Sequence, residues 1–203
     1  MSETLRIFVS ATSDLDAERA IIGRALAEMP VQIRAEIRRT PVEGAKYDDM
    51  WEQIGNVDRV YFLMGSDITA PAGAEWHLAL QLERSLLPLR AAHTRLTPAG
   101  QEFIHKNPFV RWQEFDSAAE LAQLVTLDLV QILNHRTNRY GLSIAELETL
   151  QLHGERLQKR AATHAARMAR EPGGAEGGGV IIDPLRSDGA EDLLLEKDYF
   201  NNS

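Results

Sequence analysis

Short apolar runs alternate with helical periodicities along the first two thirds of the chain. The runs at 5–9, 60–64 and 86–89 are typical of buried strands, and the alternation over 31–38 predicts a strand with one wet face near a sheet edge. Apolar residues recur at helical spacing over 14–29, 47–55, 74–85 and 117–134. A last short strand is predicted at Val110 and Trp112. Four or five strands that alternate with helices predict a mostly parallel sheet built from βαβ units.

The first predicted strand ends in a turn that is rich in hydroxyl groups. Ser10, Thr12, Ser13 and Asp14 follow the apolar run and precede a helix. In open α/β sheets such turns lie where ligands bind, and the N–H groups that begin a helix can hold an anion. These four residues are therefore candidate ligand contacts. The alternative is that Ser13 or Asp14 only caps the helix, with Asp16 bonding back to Ser13. Spacing does not separate the two interpretations.

Glu75 is the candidate catalytic residue. It lies in the first turn of the helix predicted over 74–85, on the same face as three apolar residues, Leu78, Ala79 and Leu82. Apolar neighbours oppose ionisation of a carboxylate, and this conflict is typical of functional acids. The alternatives are that Glu75 turns to solvent or pairs with an arginine. The polar loop before this helix, 65–72, adds Gly65 and Ser66 as ligand-contact candidates.

Composition limits the functions open to the chain. The 203 residues carry a net charge of −8 and include no cysteine, which excludes disulfides and thiolate chemistry and suits a cytoplasmic protein. The net negative charge argues against broad binding of nucleic acids. We expect no membrane span, because no apolar run approaches about 20 residues, and no signal peptide. The six histidines have no metal-ligand spacing, and no glycine-rich phosphate loop is present, so we expect no metal and no required cofactor.

The α/β domain is predicted to span 1–136 and to be followed by a long helix within 137–170. Ser143 and Glu146 form a capping box at its start, and apolar residues at a spacing of three and four follow. This seam predicts packing on the domain or a homo-oligomer through 143–170. The second half of the helix is basic, with no carboxylate over 156–170.

Residues 171–203 are predicted to be a flexible linker and an acidic tail. The linker is rich in glycine, and from Glu171 onward there are eight acidic and two basic residues. Apolar residues near the end form the expected anchor for another protein, or for the basic helix: Leu193, Leu194, Leu195, Tyr199 and Phe200. An inert, disordered tail is the alternative.

Three stretches resemble domain-of-unknown-function family 4062. They are VSATSDLDAER at 9–19, the Ala74-Glu75-Trp76 and Ala79 pattern, and FVRWQEFDSAAEL at 109–121, within a likeness that covers 5–135. The resemblance implies a flavodoxin-like, three-layer fold related to Toll/interleukin-1 receptor (TIR) domains and nucleoside deoxyribosyltransferases. It also implies a role in bacterial signalling or antiphage defence. In catalytic relatives a glutamate at the position of Glu75 acts on the ribosyl carbon.

Two functions therefore enter as hypotheses. The first is a TIR-like signalling or assembly module that acts through contacts with a protein partner in trans. The second is an N-glycosidase that takes NAD or another nucleotide or nucleoside as its substrate and uses Glu75 as the catalytic carboxylate, with Ser10, Thr12 and Ser13 on the ribose or phosphate. The first is favoured, because Ser66-Asp67-Ile68 stands where the family has Arg-Tyr-Gly and an aromatic surface for a base is missing.

Overall fold

The computed structural model describes residues 2–41 and 44–168, with side chains as far as residue 163. The strands are β1 (Leu5–Ala11), β2 (Ala35–Arg38), β3 (Arg59–Met64), β4 (Leu86–Ala91) and β5 (Gln113–Phe115). The helices are α1 (Asp16–Ala27), α2 (Tyr47–Gly55), α3 (Ala70–Gln81), α4 (Pro98–Lys106), α5 (Ala118–Leu133) and α6 (Ile144–Met168). The described residues as far as 164 belong to one compact unit, and of a second unit the structure describes only the end of α6, residues 165–168.

The five strands form one parallel sheet in the order β2-β1-β3-β4-β5. This is the flavodoxin-like order of a doubly wound sheet, so the predicted fold class is confirmed. The order reverses between β1 and β3, because the chain moves outward to β2 first and then returns to β3 on the other side of β1. In such folds ligands bind at this switch point, beyond the carboxyl ends of the strands.

Alternate side chains of the central strands enter two separate cores. Ile7, Val9, Tyr61 and Leu63 belong to the core beneath α1, α5 and α6, whose buried residues include Ile22, Leu129 and Leu150. Phe8 and Val60 face α2 and α3, and Phe62 and Met64 face α3 and α4. Burial on both faces explains why these strands read as continuous apolar runs rather than as an alternation. Ser10 follows Phe8 by two residues and therefore lies on the α3 side of the sheet.

Three predicted elements have boundaries that are wrong by several residues. The helix α3 begins at Ala70 rather than at residue 74, because Pro71 suits the first turn of a helix, and it ends at Gln81, shortly before the left-handed backbone of Glu83. The strand β2 begins at Ala35 rather than at residue 31. The last strand begins at Gln113, because Val110 and Trp112 pack into the core beside α3 and α4 instead of joining the sheet.

The helices after the sheet begin as predicted. The Ser117 hydroxyl accepts a hydrogen bond from the N–H of Glu120 at 3.2 Å, and that of Ser143 accepts one from Glu146 at 3.3 Å. Among the described helices, none combines the length and the apolar character that a membrane span requires. The predicted anchor in the tail, with Leu193, Leu194, Leu195, Tyr199 and Phe200, lies outside the described residues.

Candidate functional site

Glu75 lies beneath α3, against the carboxyl end of β1. It is 4% exposed, and Trp76, Leu78 and Ala79 beside it on the helix are buried as well. The inward orientation that the spacing predicts is therefore confirmed. The position along the helix is not, because Glu75 lies five residues after Ala70 rather than in the first turn. The dipole at the helix start therefore contributes little to this carboxylate, since that effect fades within the first turn.

Two hydroxyl groups hold the Glu75 carboxylate. The Ser10 hydroxyl donates to Oε2 in a buried hydrogen bond, and the Thr40 hydroxyl, from the segment that follows β2, donates to Oε1. Glu75 is buried and, among the residues whose side chains the structure describes, forms no ion pair with an arginine, so both of those alternatives are wrong. The hydroxyl-rich turn after β1 and the acid of α3 meet at one place, beside the β1/β3 switch point.

Burial dominates the electrostatics of Glu75. It raises the pKa of the carboxyl group, and the hydrogen bonds from Ser10 and Thr40 and the charge of Arg19 only partly offset this rise. The Arg19 side chain donates from Nη2 to the Ala11 carbonyl at 3.0 Å, next to Ser10 in β1. The pKa of Glu75 consequently lies above its ordinary value.

A second group of side chains ties the turn after β1 to the turn after β3, and we call it the clasp: Thr12, Asp14, Gly65 and Ser66. The Thr12 hydroxyl accepts from the Gly65 N–H at 3.0 Å and donates to Asp14 Oδ1 at 2.5 Å. Asp14 Oδ2 accepts from the N–H of Ser66 at 2.7 Å and from its hydroxyl at 2.8 Å. Five of the six predicted ligand contacts thus lie at the carboxyl edge of the sheet: four form the clasp, and Ser10 holds Glu75.

The clasp needs a glycine at position 65. A Cβ atom there would lie 2.1 Å from Asp14 Oδ2, so any side chain would push the carboxylate away from Ser66. Burial raises the pKa of Asp14, but the hydrogen bonds from the Ser66 N–H, the Thr12 hydroxyl and the Ser66 hydroxyl outweigh it, so this pKa lies below its ordinary value. The clasp therefore holds an ionised carboxylate.

The capping interpretation of the first turn is wrong. Thr12 and Leu15 occupy the N-cap positions of the 3-10 turn (Ser13–Leu15) and of α1, and neither makes a side-chain cap hydrogen bond. Asp14 bonds across to Ser66 instead. Ser13 is exposed, whereas Ser10 and Thr12 are almost completely buried. Ser13 is the predicted contact that the structure leaves apart from the others.

Thr40 and Arg19 are missing from the sequence-based set. Thr40 comes just after β2, which was predicted as a strand. The carboxyl ends of parallel strands lie at one edge of the sheet, so the fold indicates that Thr40 lies at this edge. That indication required knowing that β2 is the neighbour of β1. The guanidinium group of Arg19 contacts Asp16 at 3.3 Å and the end of β1.

A cleft of about 330 Å³ opens at the same edge, on the far side of Asp14. Its lining comes from the turns after β1, β4 and β5 and includes three carboxylates, those of Asp14, Glu18 and Asp116. His93 contacts Asp116 at 3.3 Å. Such a lining is unfavourable for a phosphate group. In the described part of the chain no cluster of three or more histidine, aspartate or glutamate side chains is placed to hold a metal ion.

The solved structures to which this chain is similar include two distant ones. One is the crystal structure of the heterodimer of the RPS4 and RRS1 TIR domains, at 8% identity and a TM-score of 0.48, covering 64% of this chain and 98% of that chain. The other is that of a CMP N-glycosidase, BcmB, from Clostridium botulinum, at 18% identity and a TM-score of 0.40, covering 61% of this chain and 98% of that one. No protein-family model matches the sequence, and no curated protein does. The α/β fold is established by the order of the strands itself.

Proposed function

We propose that this chain cleaves the N-glycosidic bond of a ribosyl compound, with NAD or another nucleotide or a nucleoside as substrate, and that Glu75 is its catalytic carboxylate. The observation that carries the proposal is the buried Glu75 carboxylate, held by two hydroxyl donors beside the β1/β3 switch point. A carboxylate with a raised pKa in a site of this kind is a candidate for chemistry.

The reaction needs a negative charge next to the ribosyl carbon. The bond between C1′ and the base nitrogen breaks, its electron pair leaves with the base, and positive charge develops on C1′. The ionised Glu75 carboxylate stabilises that charge or forms a bond to C1′. Water then adds to C1′, displacing the carboxylate where such a bond has formed, and its proton passes to the departed base or to solvent. In a buried site this interaction is stronger than in water. The hydrogen bonds from Ser10 and Thr40 favour the ionised form that the step requires.

The Thr40 contact suggests how a sugar reaches the carboxylate. Thr40 is only partly buried, whereas Ser10 is 1% exposed, so the Oε1 side is the one nearer to solvent. A ribose hydroxyl donates the same kind of hydrogen bond as the Thr40 hydroxyl and can replace it. We therefore expect Ser10 to keep hold of Oε2 while the substrate takes the place of Thr40 on Oε1.

The test is base release from NAD, from a nucleotide and from a nucleoside, each followed by chromatography. We expect release by the wild-type chain and a loss of at least about a hundredfold in Glu75→Gln, since a single group that stabilises transition-state charge contributes factors of this order. Glu52→Gln, an exposed change of the same kind on α2, is the matched control and should leave release unchanged. Release that survives Glu75→Gln would refute the proposal.

A second candidate function is a signalling or assembly module of a bacterial defence or regulatory system, as the resemblance to family 4062 implies. The observation in its favour is apolar surface outside the sheet, since Ile144 and Leu152 on α6 are 78% and 52% exposed. This function needs a protein partner and no reaction at Glu75. A chain that releases no base from any of the three substrates, but does associate with a partner, would favour this function over the first.

A further inference from the structure

The helix α6 has one face that the rest of its compact unit does not cover. Leu150 and Gly154 are buried, and Leu147 and Leu157 are partly buried, on the face turned to α5. The opposite face carries five exposed residues at spacings of four and three: Ile144, Glu148, Leu152, Arg156 and Lys159. We call this set the outer stripe. It places an exposed leucine midway between an acid and a base.

The charges of the outer stripe are separated along the helix. The acidic residues of α6, which are Glu146, Glu148 and Glu155, precede Arg156, Lys159 and Arg160. Glu146 is engaged by Ser143, and Glu155 by Gln151 at 3.3 Å. Within the described residues Glu148 and Arg156 form no ion pair, and their i,i+8 spacing keeps them about 12 Å apart on the helix. The described residues of one chain therefore leave both charges without an ion-pair partner.

We propose that a second copy of this chain packs antiparallel on the outer stripe, with the two-fold axis at Leu152. Glu148 lies four residues before Leu152 and Arg156 four residues after it. A two-fold axis through Leu152 therefore sets each Glu148 opposite the Arg156 of the other copy and brings the two Leu152 side chains together. Ile144 then faces Arg160, whose aliphatic stem can cover it.

The charge pattern selects the antiparallel arrangement. In a parallel pair in register, like charges would meet at Glu148 and again at Arg156, whereas the antiparallel pair makes two complementary contacts. The stretch 144–160 is about 24 Å long, so the contact is small, and interfaces below about 1,200 Å² are weak and transient. We therefore expect a dimer that forms as concentration rises and weakens as salt is added. This inference goes beyond the chemistry at Glu75 and names the partner for the second candidate function.

The decisive experiment uses two full-length variants, each with one charge reversed, alone and as a mixture. Sedimentation over a concentration series measures their association. Glu148→Arg alone and Arg156→Glu alone should each weaken association at least about tenfold, which corresponds to about 1.4 kcal/mol. Their equimolar mixture should associate as well as the wild-type chain, because both contacts again pair opposite charges. Arg24→Glu on α1 and Glu28→Arg directly after that helix make the same changes of net charge elsewhere and should have no effect.

A second experiment uses the absence of cysteine from the chain. In Leu152→Cys the two thiols would meet at the two-fold axis, so oxidation should give a cross-linked dimer much faster than in the exposed control Ala20→Cys. A wild-type chain that stays monomeric at every concentration would overturn the proposal, and this is the result expected if the acidic tail covers the stripe instead. Failure of the mixture to restore association, or equal cross-linking at positions 152 and 20, would also overturn it. None of these readouts depends on base release.

Discussion

Two acidic side chains lie at the same edge of the sheet, and the fold shifts their pKa values in opposite directions. Asp14 is partly open to solvent and accepts hydrogen bonds from a backbone N–H and two hydroxyls, and its pKa is lowered. Glu75 is 4% exposed and accepts from two hydroxyls, and its pKa is raised. Burial acts to raise the pKa of both carboxyl groups. Hydrogen bonds act to lower it, and only at Asp14 do they outweigh burial.

The comparison separates a structural carboxylate from a candidate functional one. The folded chain is more stable when Asp14 is ionised, because the ionised carboxylate closes the clasp between the turns after β1 and β3. The folded chain is less stable when Glu75 is ionised. A side chain that costs stability is more readily explained by a function than by a structural role. The clasp positions the edge of the sheet, and Glu75 is the group that can act there.

A side chain at position 65, which would occupy the place of the Asp14 carboxylate, should have the largest effect on stability. In Gly65→Ala the new Cβ forces Asp14 away from Ser66, so we expect a loss of about 2 kcal/mol, or about 4–8 °C in Tm, since about 1 kcal/mol shifts Tm by 2–4 °C in a chain of this size. Thermal unfolding measures it. Gly73→Ala is the control on α3: its Cβ would meet Ile68 at an ordinary 3.5 Å, and alanine inside a helix should leave Tm unchanged or raise it. A Tm for Gly65→Ala equal to or above that of the wild-type chain would contradict this account of the clasp.

Removing the clasp carboxylate should have a smaller effect. Asp14→Ala loses hydrogen bonds that solvent partly replaces, so we expect a loss of about 1 kcal/mol at neutral pH. Because the pKa of Asp14 is lowered on folding, its contribution is present above its ordinary value of 3.8 and is lost as pH falls through the folded value. The difference in Tm between wild type and variant should therefore vanish in strong acid.

The same variant tests whether Gly65 acts through Asp14. In an Asp14→Ala background the substitution Gly65→Ala should add little, because the group that it displaces is already gone. Fully additive losses in the double variant would mean that the two residues act independently.

Glu75→Gln should have an effect on stability no larger than that of Asp14→Ala, and of opposite sign. A raised pKa means that the folded chain binds the proton more tightly than the unfolded chain, so wild-type stability falls as pH rises from 4.5 through the folded value. Glutamine is neutral and keeps an amide oxygen for Ser10, so we expect a gain on the order of 1 kcal/mol at neutral pH. The gain should disappear below pH 4.5. A variant that is less stable than wild type at neutral pH would indicate that Glu75 is a structural acid.

Periodicity predicted the fold well because burial on both faces leaves a clear pattern. The runs at 5–9 and 60–64 became central strands, and the alternation over 31–38 belongs to the edge strand β2. The start of α3 was missed because Pro71 and Gly73 look like loop residues, although proline suits a first helical turn. The last strand was predicted too early in the chain, because Val110 and Trp112 are apolar residues that pack in the core beside α3 and α4 and do not belong to the sheet.

The site was only partly predictable for a different reason. Ser10 and Glu75 could be brought together from the sequence, because a turn after a first strand and an inward acid on a helix both have local signals. Thr40 has none of its own, since its contact with Glu75 depends on which strand lies beside β1. Likewise, Asp14 looks like a helix cap locally, and only the approach of Ser66 from the turn after β3 gives it another role.

The most direct test of the role of Glu75 is the rate of base release as a function of pH. The account predicts a rate that falls in acid with a midpoint above 4.5, because the ionised form of Glu75 acts and its pKa is raised. It also predicts that this acid limb is absent from any residual rate of Glu75→Gln. No release at any pH, or the same acid limb in both proteins, would contradict it.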